Sequence, residues 1–352
     1  MKNALSREHR RTLENTVAAA RIDAEAGAEK ALQALAVGAA AAPTHLSPEQ
    51  RALRVRLREH ARQLGDLRRA DPHCAGTNQS TDRLLVEVAY EHWHRMLFAR
   101  FLAASDLLMH PDGYPVTLAD CKEDAATWVP PVGSRTPSEW EVAGRYASAM
   151  LPNVFRPDSP ALALALPLES QQALERRLAA LPAEVFSADD SLGWSYQFWQ
   201  APRKEAVQRQ MKNAGTKVGA DELPAVTQLF TEPYMVAFLL ENALGAWWHR
   251  AHPGKPLPVA MPYLRMAADG KPAAGAMAGW PQTLAGFKVL DPSLGSGHFL
   301  VSALHLLVPL RMAAEGLSAR QAVDRVLAEN LHGLELDARC VEIGAFALAL
   351  AA

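Results

Sequence analysis

Gly286-Phe-Lys-Val-Leu290 is a short apolar run, and it leads straight into Asp291-Pro-Ser-Leu-Gly-Ser-Gly-His-Phe-Leu300. The run predicts a strand, the two glycines a tight turn, and the residues from about Phe299 to Ala314 a helix. Strand, glycine turn and helix in that order form a cradle where backbone N–H groups and a helix N-terminus approach a cofactor closely, in an α/β fold. A dinucleotide fingerprint needs a third glycine, but Gly295 and Gly297 are followed by Leu300, and no G-x-x-x-x-G-K-[ST] run exists anywhere in the chain.

In their place stand an acid at the strand end, Asp291, and a second acidic pair in Asn330-Leu-His-Gly-Leu-Glu-Leu-Asp337. A carboxylate at the end of a second strand is the usual partner of ribose hydroxyls in Rossmann-like folds. Acids at both places suit a cofactor that combines a positive ammonium with a ribose diol, as S-adenosylmethionine does.

Working outward, residues 1–42 are alanine-rich and favour helix by propensity, although their Ala/Gly end also fits a linker. Ser47-Pro-Glu-Gln50 predicts a helix start, followed by Leu53, Leu57, Ala61, Leu64 and Leu67 on one face. The other face carries Arg51, Arg54, Arg58, Arg62 and Arg69, either a solvated surface or a stripe for a phosphate backbone. A second, buried helix is expected from about Asp82 to Leu108. Its His92 and His94, like His249 and His252 further on, read as packing histidines, and no metal site is expected. Residues 111–156 read as loop-rich, with turns between short helical pieces, and a helix is expected around 168–180. Trp194, Tyr196, Phe198 and Trp199 read as a core anchor in preference to a base-stacking platform, since no Lys or Arg stands among them, ahead of a basic linker at 203–217. The implied division is an N-terminal helix or linker at 1–45, a helical domain at 46–220 and a cofactor-binding part at 221–352.

With 352 residues, 49% hydrophobic and 21% charged, the chain is of globular composition, which excludes disordered and collagen-like classes. A net charge of -2 splits into a basic first seventy residues and an acidic remainder, so bulk charge does not select a partner. Three cysteines without regular spacing, Cys74, Cys121 and Cys340, exclude a disulfide framework and a thiolate zinc site. The start lacks the pattern of a signal peptide and the longest apolar run is too short to span a bilayer, so a cytoplasmic protein without membrane contact is expected.

Leu290-Asp-Pro-Ser-Leu-Gly-Ser-Gly-His-Phe-Leu-Val301 resembles motif I of the adenine-specific (N6) DNA methyltransferases, and Leu331-His-Gly-Leu-Glu-Leu-Asp337 resembles their motif II. Val226-Thr-Gln-Leu-Phe-Thr-Glu-Pro-Tyr-Met-Val-Ala-Phe-Leu-Leu240 resembles motif X, which precedes motif I in this class. The likeness is strongest to the PglX-like and Eco57I-like methyltransferases of phage-defence (BREX) and restriction-modification systems. It extends to Ala89-Tyr-Glu-His-Trp-His-Arg-Met-Leu-Phe-Ala-Arg-Phe101 and Trp194-Ser-Tyr-Gln-Phe-Trp199.

The resemblance implies a mostly helical N-terminal domain followed by the first part of a Rossmann-like S-adenosylmethionine-dependent methyltransferase fold. It implies methyl transfer to adenine N6 of double-stranded DNA, with other defence-system subunits as further partners. Asp291, Pro292, Gly295, Gly297 and Phe299 are then expected at the methionine end of the cofactor. Glu335, ahead of Asp337, is expected at the ribose, and Phe230 and Thr231 at the pocket's closure.

One departure stands out. The family's Asn/Asp-Pro-Pro-Tyr/Phe loop, which receives a flipped adenine, has no counterpart here: Pro130-Pro131 lies in Val-Pro-Pro-Val, and the chain reaches Ala352 in the helix after motif II. No catalytic residue is assigned, the chain alone is expected to be inactive, and an unpaired apolar sheet edge is expected. Two rival readings follow: a DNA- or partner-binding module without catalysis, and a Rossmann-like methyltransferase acting on RNA, protein or a small molecule.

Overall fold

The computed structural model describes residues 4–70, 76–129, 136–188, 190–214, 231–275 and 279–352. Its packing divides into two units, Leu5–Ala188 and Asp189–Ala352, the latter together with the first residues of the chain.

The first unit is helical. It contains α1 (Arg7–Ala34), α2 (Pro48–Gln63), α3 (Asp82–Ala104), α4 (Leu118–Thr127) and α5 (Glu139–Met150). Two single turns follow, α6 (Pro152–Phe155) and α7 (Pro160–Ala163), then α8 (Leu168–Ala179) and α9 (Ala183–Ser187). A short antiparallel hairpin pairs β1 (Arg68–Ala70) with β2 (Thr77–Gln79).

α3 is the centre because it is apolar nearly all round, with Leu84, Val88, Tyr90, Trp93, Leu97 and Phe101 among its buried residues. α1 lies against α3 and α8 through a stripe of small residues that includes Ala20, Ala24, Gly27, Ala28 and Ala31. An added Cβ at Gly27 would stand 2.8 Å from Ser170 Cβ, so glycine there sets how closely α1 meets α8.

The short helical pieces expected between the turns of residues 111–156 include two capped helices. Thr117 with Asp120 and Ser138 with Glu141 form capping boxes that start α4 and α5. These local amide bonds outweigh the proline and glycine turns on either side.

The second unit begins with α10 (Ser191–Ala214) and continues with α11 (Pro233–Ala251), β3 (Val289–Asp291) and α12 (His298–Glu315). α13 (Ala319–Arg325), a π-helical turn at Val326–Asn330, β4 (Leu331–Gly333) and α14 (Ala338–Ala351) complete it. α10 starts with the aromatic cluster and runs on through Pro202, so residues 203–212 are helix and not linker, while 215–217 lie outside the described residues. The unit boundary therefore falls before α10, whereas the sequence suggested a cut near residue 220.

β3 and β4 pair in parallel, Val289 opposite Leu331 and Asp291 opposite Gly333, with α12 and α13 as the crossover: a βαβ unit. Among the described residues this sheet holds two strands, with Leu290 and Leu334 more than half exposed. The core beneath joins Leu240, Leu244, Trp247 and Trp248 of α11 to Leu300, Leu304 and Leu307 of α12.

A buried charge fixes the crossover. Arg311 has no exposed surface; it donates to Glu315 at 2.8 Å and to Glu329 at 2.6 Å, and it contacts Asn330 Oδ1 at 3.2 Å. Asn330 in turn donates to the carbonyls of Leu284 and Phe287, each at 2.7 Å, which pins the entry of β3 to that of β4.

Candidate cofactor site at the glycine turn

The site is built where β3 ends. Asp291 closes the strand and its Oδ1 accepts the Ser293 N–H at 3.1 Å, an Asx turn that bends the chain into the loop. Gly295 and Gly297 both take positive φ, +52° and +81°, and Gly297 is the N-cap of α12 with no side-chain cap.

The two glycines serve different ends. A Cβ on Gly297 would meet Gly344 Cα of α14 at 2.8 Å, so this residue is required for helix-to-turn packing. A Cβ on Gly295 would meet nothing closer than Ser293 O at 4.0 Å. The backbone of Gly295 therefore borders open space, which a bound group can enter.

The chain after β4 reaches back to this turn. Leu334 N–H donates to Asp291 O at 2.9 Å and Leu294 N–H donates to Leu334 O at 3.0 Å, so the two loops extend the parallel pairing beyond the strands. Glu335 accepts the Gly295 N–H at 2.8 Å on Oε2, and the N–H groups of Leu336 at 2.7 Å and Asp337 at 3.1 Å on Oε1. β4 ends at Gly333, so Glu335 and Asp337 lie in the following loop and not on one side of a strand.

Asp337 has a different task. It is the N-cap of α14, accepting the Arg339 N–H at 3.1 Å, and its other oxygen accepts the hydroxyl of Tyr196 on α10 at 2.5 Å. Gln200 donates to that hydroxyl at 2.6 Å. Tyr196 is buried, which agrees with a core anchor for the aromatic cluster, and Trp199 is fully enclosed. No local sequence signal reveals that Tyr196 meets Asp337.

Of the expected residues, Asp291, Gly295 and Glu335 meet directly. Pro292 is exposed in the turn, and Phe299 packs against the core between α11 and α12. Thr231 lies two residues before the start of α11, ahead of its N-cap Glu232, and Phe230 lies outside the described residues.

The electrostatics of the turn are acidic. Burial raises the Asp291 carboxyl above its ordinary value, and the charge of Glu335 raises it further, against the lowering effect of the Ser293 N–H. A half-buried carboxylate facing a second acid favours a cationic ligand. Glu335 retains acceptor capacity beyond the three N–H groups it holds, since a carboxylate offers about four lone-pair sites. The residues present thus fit a group that carries both a positive centre and hydroxyls.

Elsewhere the charged features resolve differently. The arginine face of α2 is spent on backbone: Arg51 donates to the Leu46 and Thr44 carbonyls, Arg54 to Ala36, Ala39 and Ala41, Arg58 to Val37, Ala39 and Thr77, and Arg62 to Arg58. Arg54 is buried while Arg51, Arg58 and Arg62 stay part exposed, and Arg69, expected on the same face, lies exposed in β1 beyond the end of the helix. These bonds secure the turn after α1, whose carbonyls have no helical partner.

His92 bonds the Leu164 carbonyl at 2.9 Å, while His94 bonds the Tyr90 carbonyl and stacks on the Tyr90 ring. His252 stacks on Trp248. His60, Glu87 and Glu91 gather their ligand atoms within 4.8 Å of one another, a cluster the sequence did not suggest. Arg156 faces both of those carboxylates, at 3.8 and 3.6 Å, and supplies the countercharge. Among the described residues no single helix is long and apolar enough to cross a membrane.

No family model matches the chain. Two curated relatives do. The adenine-specific methyltransferase BrxX of Escherichia coli O9:H4 (strain HS) is 32% identical over 176 residues, 49% of this chain and 14% of that protein. The adenine-specific methyltransferase PglX of Lacticaseibacillus casei (strain Zhang) is 24% identical over 310 residues, 75% of this chain and 25% of that protein. The chain thus spans a quarter or less of the length of either relative. It is similar, over half to three quarters of its own length, to adenine-specific methyltransferases of the BrxX and PglX kind.

Proposed function

We propose that the glycine turn between β3 and α12 is the S-adenosylmethionine site of an adenine-specific methyltransferase. The protein to which this chain belongs would methylate adenine N6 in double-stranded DNA, within a phage-defence or restriction-modification system. The observation that carries the reading is the convergence of Asp291, Gly295 and Glu335, with Gly295 N–H bound to Glu335 at 2.8 Å beside open space.

S-adenosylmethionine supplies an activated methyl group on a sulfonium centre, so the protein's share of such a reaction is binding and orientation. Asp291 would hold the positive end, where its ionisation is otherwise disfavoured. The Gly295 backbone would let the ligand approach, and Gly297 would keep the turn seated on α14. Glu335 would accept the ribose hydroxyls with its remaining lone pairs. Asp337, engaged with Arg339 and Tyr196, would fix the Glu335 loop and not touch the ligand. Pro292, Phe299, Phe230 and Thr231 complete the assignment carried by the motif resemblance.

The test is photo-crosslinking of S-adenosylmethionine carrying a labelled methyl group to the chain, followed by peptide mapping. The expected result is label on peptides spanning 289–300 or 331–337, suppressed by S-adenosylhomocysteine. Label confined to other peptides, or no suppression, contradicts the assignment.

A further inference from the structure

Residues 51–69 hold seven arginines against two acids, Glu59 and Asp66. Arg51 and Arg54 are taken up by backbone carbonyls around the turn after α1. Arg58 and Arg62 of α2 gather with Arg68 and Arg69 of β1 where the end of the helix meets the β1–β2 hairpin. We propose that this arginine cluster is a docking surface for the phosphate backbone of duplex DNA, indifferent to base sequence and independent of S-adenosylmethionine. The choice of DNA among polyanions rests on the methyltransferase reading; the surface belongs to the Leu5–Ala188 unit, not to the unit that holds the glycine turn.

Three observations carry this. The first is uncompensated charge. Among the described residues, none of the four arginines forms an ion pair with a carboxylate, and the exposed guanidinium groups of Arg68 and Arg69 donate to none of those residues. Of the nearby acids, Asp66 is buried and accepts the N–H groups of Arg83 and Leu84, each at 3.0 Å. Glu59 pairs with none of the four. Glu87 and Glu91 of α3 gather at His60, where Arg156 faces them. His60 stands about 200° around the α2 axis from Arg58 and from Arg62, so that acidic pair lies off the other side of the helix.

The second is proximity. Burial and, after it, the charges of Arg54, Arg68 and Arg62 push the Arg58 guanidinium below its ordinary value. The positive charges therefore stand close enough to repel one another, and an anion of several charges relieves that repulsion.

The third is rigidity and spacing. Arg58 donates to the carbonyls of Val37, Ala39 and Thr77, each at 2.6 Å, which ties α2 to the turn after α1 and to β2. Arg62 donates to the Arg58 carbonyl at 2.8 Å through one of its nitrogens and keeps its other donors. Arg58 and Arg62 are one helical turn apart, about 6 Å along the axis. A DNA strand presents one charge per ~3.4 Å of duplex axis, so the pair spans about two phosphates. Planar guanidinium forks held at fixed spacing suit the regular phosphates of a duplex, whereas an acidic peptide offers no such repeat.

The experiment uses the intact chain without cofactor and follows the fluorescence anisotropy of a short labelled duplex of mixed sequence across a range of salt, with polyglutamate as competitor. The expected result is saturable binding whose log K falls against log salt with a slope of about -3, and polyglutamate that competes poorly. Arg68→Gln, at an exposed side chain, is expected to weaken binding by about fivefold and to reduce the slope by about one. Lys122→Gln removes the same charge from the exposed surface of α4, next to Glu123, and is expected to change neither quantity. Circular dichroism establishes that both variants are folded. No saturable binding, a slope near zero, equal losses in the two variants, or polyglutamate that competes as well as unlabelled duplex would each overturn the proposal. Every arm runs without S-adenosylmethionine, so its failure is separate from a failure of the labelled-methyl crosslinking.

Discussion

Two clusters of charge secure backbone in this chain, and they are opposite in sign. After α1, Arg51, Arg54 and Arg58 donate to carbonyls; after β4, Glu335 and Asp337 accept N–H groups. Both follow from one rule, that main-chain groups without a secondary-structure partner must find another. They differ in what is left over. Arg54 is buried and bonds three carbonyls, so nothing can be added there. Glu335 remains part exposed beside a glycine that opens onto empty space. A charged stripe in sequence thus becomes a strut where it is enclosed and a ligand site where room and spare lone pairs remain.

The comparison breaks most readily at Gly297. Replacing it with alanine forces a Cβ against Gly344 Cα at positive φ, and should cost about 3 kcal/mol or more. Gly295→Ala, with similar backbone but open space, should cost about 1 kcal/mol. Chemical denaturation measures both; equal losses would remove the distinction drawn between the two glycines.

Arg54→Ala comes next. It removes a buried donor from the carbonyls of Ala36, Ala39 and Ala41, of which Ala36 keeps the Ala39 N–H and Ala39 keeps Arg58, and should cost about 1–2 kcal/mol, with no effect on S-adenosylmethionine binding. A destabilisation below about 0.5 kcal/mol in urea melts would show that the strut is ornamental.

Tyr196→Phe removes the hydroxyl that holds Asp337 and should cost about 1 kcal/mol. It should also weaken cofactor binding severalfold, by loosening the Glu335 loop. Unchanged cofactor affinity in that variant would separate α10 from the site.

Much of the glycine turn is legible from sequence because its signals are local. A strand run, two glycines and an apolar helix occupy one continuous stretch, and α12 spans His298–Glu315 against an expected Phe299 to Ala314. What is not legible is long-range. Glu335 and Gly295 are 40 residues apart, and Tyr196 and Asp337 are 141 apart, and no periodicity marks either contact. The arginines of α2 misled for the same reason: helical spacing reports which face a side chain is on, not which loop folds over it. Between 111 and 156 short helical pieces are expected without bounds; Thr117 with Asp120 and Ser138 with Glu141 are the capping signals that fix the starts of the helices at 118–127 and 139–150.

Two smaller effects concern ionisation. Hydrogen bonds from Arg311 hold the Glu315 carboxyl below its ordinary value. Its contribution is therefore present above the ordinary carboxylate pKa and lost as the pH falls through the folded-state value. Wild type should lose more stability in that acid range than Glu315→Gln, as read by melting temperature against pH; parallel curves would contradict it. Asp291 has the opposite sign, since burial raises its pKa and its ionisation at neutral pH weighs against the fold. Asp291→Asn should raise the melting temperature slightly while weakening cofactor binding by about tenfold or more, the exchange of stability for function expected at a ligand site.

The most direct measurement is calorimetric titration of S-adenosylmethionine into the intact chain and into Glu335→Gln and Asp291→Asn. The account predicts one saturable site in the wild type, weakened by about tenfold or more in each variant, with both variants folded. Undiminished binding in both, or binding that responds only to substitutions outside 289–300 and 331–337, would contradict it.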